Sequence, residues 1–159
     1  MATWQHRPES QGYVKAKSTD PFAHPEIQPN YLAAETDQNV ILAAIKICRK
    51  LAQTEALKPF VVEETFPSAS CQNDDDLLNS AREIGQSIYH LMGTCRMGNR
   101  DDRTTVVDAE LRVHGIKDLR VIDASIMPTM VSANLNAAVM MIAEKGADMV
   151  LGKTAAKAH

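Results

Sequence analysis

Residues 89–98 read Tyr89-His90-Leu91-Met92-Gly93-Thr94-Cys95-Arg96-Met97-Gly98. The two glycines allow the backbone to turn tightly or to approach another segment closely. Histidine is the side chain that gains or loses its charge near neutral pH, so a well-placed histidine accepts and holds a substrate proton. His90 is therefore the candidate general base of the chain. The alternative is a histidine that is satisfied by packing at the end of a strand.

A second cluster lies downstream, where residues 119–122 form a compact apolar strand that ends at Asp123. Ligands bind beyond the strand ends of α/β sheets, although an aspartate there is commonly a turn former. Asn134 and Asn136 follow, just before a helix that the apolar pattern predicts over residues 137–151. Either amide suits the helix N-cap, and a pair of amides there also suits an anion or a developing negative charge.

The N-terminal half is predicted to contain one strand and two helices. Alternating side chains indicate a half-exposed strand over residues 13–17, and three prolines predict an ordered loop or irregular edge over residues 18–32. Asp37 is expected to cap the first helix, whose shared face carries Val40, Ala44, Ile47 and Leu51, flanked by Ile41, Ile45 and Cys48. Residues 73–76 supply a cap and an acidic first turn for the second helix, whose inward residues are Leu77, Leu78, Ala81 and Ile84.

The sequence pattern as a whole predicts an α+β fold. Short strands are also expected at residues 105–108 and 111–113, separated from the strand at 119–122 by a turn at Gly115. With 159 residues, the chain is long enough for one domain with a real core. A content of 45% hydrophobic and 23% charged residues argues against disorder and against a membrane span.

Charge and cysteine content exclude several classes of function. The formal net charge is -3 and the basic residues are scattered, which argues against a nucleic-acid surface. An odd number of irregularly spaced cysteines favours free thiols over a disulfide framework: Cys48, Cys71 and Cys95. Four further histidines lack ligand-like spacing, so no metal site is expected: His6, His24, His114 and His159. Because no apolar leader is visible, the chain is expected to be cytoplasmic.

With these motifs laid out, the chain resembles the C-terminal part of the glucose-methanol-choline (GMC) family of flavoprotein alcohol oxidoreductases, in its choline dehydrogenase-like branch. Several motifs in the same order carry the resemblance: Pro8–Gly12, Asp20-Pro21, Ile27–Leu32, His90–Gly98 and Glu144–Asp148. The resemblance implies an FAD cofactor, a primary alcohol as substrate, proton abstraction from its hydroxyl by His90, and hydride transfer to the flavin.

The resemblance also implies a role for each site residue. Asn134 corresponds to the second catalytic position and would hydrogen-bond the alcohol oxygen. Asp123 and Ala124 would approach the FAD, and Asn136, Ala137 and Ala138 would meet the flavin ring at the helix start. Many relatives have proline where this chain has Ala138. Proline presets the geometry of the helix start more firmly than alanine does.

The resemblance implies a division of the chain and a partner for it. Residues 8–107 would form part of a substrate-binding domain, and residues 108–152 would complete an FAD-binding domain. The family's dinucleotide fingerprint, G-x-G-x-x-G, does not occur in this sequence, so the Rossmann part is absent. Exposed apolar surface is therefore predicted, to be covered by a flavin-binding subunit or a homodimer, and the chain alone is expected to be inactive. The alternative is a non-catalytic, split-off or truncated domain that acts as a dimeric binding or structural module.

Overall fold

A computed structural model describes residues 1–153 of the chain. Its named elements are two short strands, three α-helices and two 3-10 turns at Lys58–Phe60 and Ala124–Ile126. The chain divides into two compact units, Met1–Ser87 and Ile88–His159, which are described separately below. None of the helices in the described range has the length and apolar character required to cross a membrane.

The first unit opens with a two-stranded antiparallel ribbon. Strand β1 (Tyr13–Lys15) pairs with strand β2 (Glu26–Gln28), with Val14 opposite Ile27. The predicted strand at residues 13–17 is confirmed in its first three residues. The expectation of a loop throughout residues 18–32 is wrong at β2, because the stretch between Pro25 and Pro29 is long enough for three residues to pair.

Helix α1 (Glu35–Ala52) begins two residues before the predicted cap. Ala34 occupies the N-cap position without a side-chain hydrogen bond, and Asp37 lies within the first turn. The Asp37 carboxylate is instead buried and accepts hydrogen bonds from the amide N–H groups of Glu9 at 2.9 Å and Ser10 at 2.8 Å. The assignment of Asp37 as a cap is therefore wrong, because its side chain fixes an N-terminal segment.

The buried face of α1 is rotated from the predicted one. Val40, Ile47 and Leu51 are exposed, whereas Ile45 is buried. The half-buried neighbours include Ile41 and Cys48, which the sequence placed at the flank of the stripe. The apolar surface of α1 is wider than one stripe, so the pattern alone did not decide which side packs against α2.

Helix α2 (Asp74–Ile84) confirms the predicted cap and acidic first turn. The side-chain oxygen of Asn73 accepts a hydrogen bond of 2.8 Å from the amide of Asp76, as expected of a capping asparagine. Of the predicted inward residues, Leu77 is fully buried, and Leu78 and Ala81 are half-buried. Ile84 is exposed, because it lies in the last turn, where the helix ends at Gly85.

The second unit is built around an apolar core with little regular sheet. Its buried members are Val107, Leu111, Ile126, Met127, Leu135 and Ile142. The strands predicted at 105–108, 111–113 and 119–122 are reduced to isolated bridges, which join Met97 to Val107, Val107 to Val113 and Arg112 to Arg120. Turns interrupt these segments every few residues, so no run is long enough to form a regular ladder.

Helix α3 (Asn136–Val150) closes this unit and agrees with the predicted helix to within one residue at each end. Ile142 and Gly146 are its buried residues. A methyl group added at Gly146 would overlap the Cγ2 atom of Ile122, so the helix lies directly against that side chain. The predicted boundary between residues 107 and 108 separates part of a substrate-binding domain from a segment that would complete an FAD-binding domain. This boundary stays a prediction.

Candidate active site

His90 lies in the irregular segment that opens the second unit, and its side chain is half-buried. The preceding residue, Tyr89, has a left-handed backbone with φ of 63°, and its side chain is 88% exposed. A left-handed conformation is uncommon for a residue with a bulky side chain. Within residues 1–153, the structure gives the His90 ring no hydrogen-bond partner. Within these residues, no side-chain hydrogen bond fixes the orientation of the imidazole.

The turn after His90 is fixed by backbone hydrogen bonds to residues 124–126. The amide of Gly93 donates to the carbonyl oxygen of Ala124 at 3.4 Å, Cys95 to Ser125 at 2.9 Å, and Met97 to Ile126 at 2.8 Å. Gly93 has φ of 82°, a left-handed conformation that glycine adopts without strain. The structure therefore joins the two sequence clusters, the one that contains His90 and the one that contains Asp123, through main-chain hydrogen bonds.

Asp123 and Ala124 form the start of the 3-10 turn that receives these hydrogen bonds. The Asp123 carboxylate accepts a hydrogen bond of 2.7 Å from the amide of Ser125 and so caps the turn. Its side chain is exposed, whereas Ala124 is half-buried against the apolar core. The turn itself packs against α3. Asp123 is thus a turn former in this structure, and its position as a flavin neighbour stays a prediction.

Neither Asn134 nor Asn136 caps α3, which corrects the N-cap interpretation. Leu135 occupies the cap position, where its side chain has no polar atom to accept a hydrogen bond and is instead buried in the core. The Asn136 amide nitrogen instead lies 3.9 Å from the sulfur of Met140. Asn134, Asn136 and Ala137 are exposed, and Ala138 is half-buried. The helix start therefore presents polar amides and an uncapped N-terminus to its surroundings.

The predicted catalytic pair is brought into one unit but not into direct contact. No hydrogen bond joins the side chains of His90, Asn134 and Asp123 within the part of the chain that the structure describes. What links them is the 3-10 turn at Ala124–Ile126, which bonds to the His90 segment on one side and packs against α3 on the other.

Sequence reasoning missed an aspartate turn that stiffens this unit. The Asp108 carboxylate accepts hydrogen bonds from the amides of Glu110 at 2.8 Å and Arg112 at 2.9 Å. Burial alone raises the pKa of Asp108, but these two hydrogen bonds and the positive charges of Arg112 and His114 outweigh it and hold the pKa below its usual range. The residue type at position 108 was the available signal, since aspartate commonly accepts a hydrogen bond from the backbone amide two residues on.

The remaining candidates for chemistry stay apart. The three cysteines are free and half-buried. Among the described residues, no group of three His, Cys, Asp or Glu side chains could hold a metal ion. His159 lies outside the described range. The chemistry-bearing groups that the structure gathers are therefore those of the second unit.

Comparison with known proteins places this arrangement in a family. The GMC oxidoreductase family matches residues 8–143. Human mitochondrial choline dehydrogenase is 46% identical over 149 residues, which are 94% of this chain and 25% of that protein. An oxygen-dependent choline dehydrogenase of Escherichia coli O45:K1 is 45% identical, over 94% of this chain and 26% of its own length.

Solved structures agree with the sequence comparison. Formate oxidase of Aspergillus oryzae RIB40 (R554A variant) has a TM-score of 0.80 at 33% identity, over 89% of this chain and 25% of that one. An FAD-dependent oxidoreductase of Chaetomium thermophilum has a TM-score of 0.83 at 28% identity, over 92% of this chain and 25% of that one. The chain thus spans about a quarter of the length of its relatives. It belongs to the GMC oxidoreductase family, and it corresponds to the C-terminal domain of the choline dehydrogenase-like members.

Proposed function

We propose that this chain is the catalytic C-terminal part of an FAD-dependent alcohol oxidoreductase that oxidises a primary alcohol. The observation that carries the proposal is the main-chain connection between the His90 segment and residues 124–126. It holds the candidate base and the start of α3 in one unit, where an alcohol and a flavin could meet. Choline, named in the relatives, is one candidate substrate.

His90 is the proposed general base. A neutral imidazole accepts the proton of the alcohol hydroxyl, and it holds that proton as a cation while the carbon is oxidised. Its half-buried position leaves part of the ring accessible to a substrate. The left-handed backbone at Tyr89 sets the direction in which the main chain enters His90.

Asn134 is the proposed partner of the alcohol oxygen. Its side chain is exposed and is not used as a helix cap, so its amide N–H is available as a donor. A donor at the alcohol oxygen stabilises the negative charge that develops there as the hydroxyl proton leaves. In this proposal His90 takes the proton, and Asn134 orients the oxygen from which the proton comes.

The residues at the start of α3 fit the anionic edge of a flavin. The helix has no side-chain cap and no acidic residue in its first turn. An uncapped helix N-terminus attracts negative charge through its free N–H groups and its macrodipole. Asn136, Ala137 and Ala138 are the residues that would hold that edge, beside Asp123 and Ala124. When bound, FAD supplies the two-electron acceptor for the hydride that leaves the alcohol carbon.

The apolar surface of the second unit supports the need for a partner. Large side chains are exposed along α3 and its end: Met140 (62%), Met141 (56%), Val150 (58%) and Leu151 (65%). Met140 and Met141 are adjacent in the first half of the helix and Val150 and Leu151 at its C-terminal end, and exposed apolar patches commonly mark interaction sites. We propose that a flavin-binding part covers this surface. A second copy of the chain is the alternative occupant, and it would favour a dimeric binding module instead.

The test is a chimera in which this chain replaces the matching C-terminal quarter of the Escherichia coli choline dehydrogenase. The chimera is expected to retain FAD after desalting, and choline or another primary alcohol should bleach the flavin absorbance under anaerobic conditions. A chimera that folds and retains FAD, but is reduced by no alcohol of a broad panel, would contradict the proposed function.

A matched pair of surface variants tests the interface. Met141→Glu should weaken FAD retention by the chimera, because it places a charge in the proposed contact. Arg103→Glu, a charge change at an exposed position outside α3, should leave retention unchanged. Sedimentation of the free chain addresses the alternative: a stable dimer at micromolar concentration favours the binding module, and a monomer argues against it.

A further inference from the structure

A polar groove in the same unit is lined by none of the residues assigned to alcohol oxidation. It is formed by two turns, residues 98–100 and 113–118, and it has a volume of about 570 Å³. Backbone hydrogen bonds fix both turns on the core, from Gly98 to the carbonyl oxygen of Val107 at 3.0 Å and from His114 to that of Val106 at 2.9 Å. Since Val107 is fully buried, the groove rests on a rigid floor.

The side chains that line this groove are predominantly cationic. Arg100, Arg112 and Lys117 carry permanent positive charges, and the ring of His114 also lines the groove. The charge of Arg112 is partly neutralised, because its guanidinium forms an ion pair of 2.6 Å with the carboxylate of Glu110. Arg100 and Lys117 form no ion pair with any residue between 1 and 153. Two basic side chains therefore remain available to a ligand.

The two acids of the groove do not cancel this charge. The Asp108 carboxylate accepts hydrogen bonds from the amides of Glu110 and Arg112, which occupy its acceptor positions but leave its negative charge in place. Asp118 is the other acid, and its backbone is left-handed with φ of 59°. Three permanent cations thus face two carboxylates along the groove, which leaves a small excess of positive charge. The balance favours an anion over a cation as the occupant.

The backbone of the second turn adds donors of the same kind. Gly115 has φ of 81°, and a methyl group built on it would touch nothing within 4 Å, so open space lies beside this turn. Within the described range, the amides of Gly115, Lys117 and Asp118 donate no hydrogen bond to another residue. The amide of Ile116 donates to the carbonyl oxygen of Val113, so the consecutive free amides are those of Lys117 and Asp118. Consecutive free amides near a left-handed residue form anion-binding concavities in many proteins.

We propose that this groove binds a phosphate group. Arginine and lysine together with free amides form the donor set that recognises phosphate oxygens. The volume exceeds that of one phosphate ion and is in the range of small-molecule pockets, so a phosphorylated small molecule fits as well as the free ion. The inference goes beyond the proposed alcohol oxidation and does not depend on it, because it uses none of His90, Asn134 or the α3 start.

The experiment titrates the full chain with inorganic phosphate and, separately, with ADP at constant ionic strength in chloride. Amide chemical shifts in ¹⁵N spectra should change saturably at Gly98, Gly115 and Lys117. Binding of both ligands with similar affinity identifies the free ion as the ligand. A tenfold or greater preference for ADP identifies a phosphorylated molecule.

A double variant and a charge-matched control separate the groove from general electrostatics. Arg100→Gln with Lys117→Gln should weaken binding at least tenfold. Arg103→Gln with Lys145→Gln removes the same charge outside the groove and should change the affinity less than twofold. Absence of saturable shifts at the groove amides would overturn the proposal, as would equal losses in the two double variants.

Discussion

The amide N–H of Cys95 donates a hydrogen bond of 2.9 Å to the carbonyl oxygen of Ser125. This bond is the central one of three that join the turn after His90 to the 3-10 turn at Ala124–Ile126. The candidate base is thereby tied to a turn whose own geometry depends on Asp123. Any substitution that destabilises the 3-10 turn at Ala124–Ile126 should also alter the His90 segment, because these hydrogen bonds connect the two.

Asp123→Ala should lower the free energy of unfolding by about 1 kcal/mol, because it removes a side-chain acceptor that caps a turn. The lost contact is the 2.7 Å hydrogen bond from the amide of Ser125. Asp123→Ser keeps a short oxygen acceptor and should recover part of the loss. Asp101→Ala, in an exposed polar turn, is the control and should stay within about 0.5 kcal/mol of the parent. Urea denaturation measures all three, and equal effects of the Asp123 and Asp101 changes to alanine would refute the capping role.

Gly146→Ala should destabilise the chain even though alanine is the better helix former. The added methyl group would overlap Ile122, and overpacking of this kind costs about 1–3 kcal/mol. The gain in helix propensity is only about 1 kcal/mol.

A double-mutant cycle with Ile122→Ala checks that cause. In the Ile122→Ala background the space is vacated, so the second change to alanine at Gly146 should be neutral or stabilising. The same penalty in both backgrounds would show that the overlap with Ile122 is not the source.

Asp37→Asn should destabilise the first unit by about 1–3 kcal/mol at neutral pH. The two carboxylate oxygens of Asp37 accept from different amides, Glu9 and Ser10, and an asparagine would turn a donor toward one of them. Burial alone raises the pKa of Asp37, but hydrogen bonds from Ser10, Glu9 and Gln5 outweigh it and hold the pKa below its usual range.

The sign of this pKa shift sets a pH dependence. A carboxyl with a lowered pKa in the folded state stabilises the fold above its unfolded pKa of about 3.9, and this contribution is lost as the pH falls through the folded value. The stability gap between the parent and Asp37→Asn should therefore be full at pH 7 and should shrink in strong acid. Glu55→Gln, at an exposed position, should show no such gap. A gap that stays constant down to pH 2 would contradict the charged role of Asp37.

Asn73→Ala should cost about 1 kcal/mol, since the Asn73 side chain caps α2. Asn79→Ala, at an exposed position within the same helix, is the matched control. That change should be neutral or slightly stabilising, because alanine is the better helix former. Circular dichroism during thermal unfolding measures both variants, and the prediction fails if their midpoints shift equally.

The sequence predicted the elements whose causes are local. The cap at Asn73 and the extent of α3 follow from residue types and apolar spacing, and the structure confirms both. The inward face of α1 could not be predicted from the sequence, because its apolar residues cover more than one side of the helix. Packing against α2 determines which side is buried. The role of Asp37 was also hidden, since its partners lie about 28 residues earlier in the chain.

The candidate site also has a part that the sequence predicts and a part that depends on distant contacts. The glycine at position 93 indicated a tight turn after His90, and the structure places a left-handed glycine there. The hydrogen bonds from that turn to residues 124–126 join main-chain atoms about thirty residues apart, which no residue type reveals. The left-handed backbones at Tyr89 and Leu111 were equally hidden, because neither residue type favours that conformation.

The most direct measurement of the central claim is the anaerobic rate of flavin reduction by choline in the chimera, compared between the parent and His90→Ala. General-base catalysis contributes roughly 10²–10⁴ in rate, so His90→Ala should reduce flavin at least a hundredfold more slowly while retaining FAD. His114→Ala removes another half-buried histidine of the same unit and should keep the parent rate. Equal rates in the parent and His90→Ala would contradict the assignment of His90 as the base.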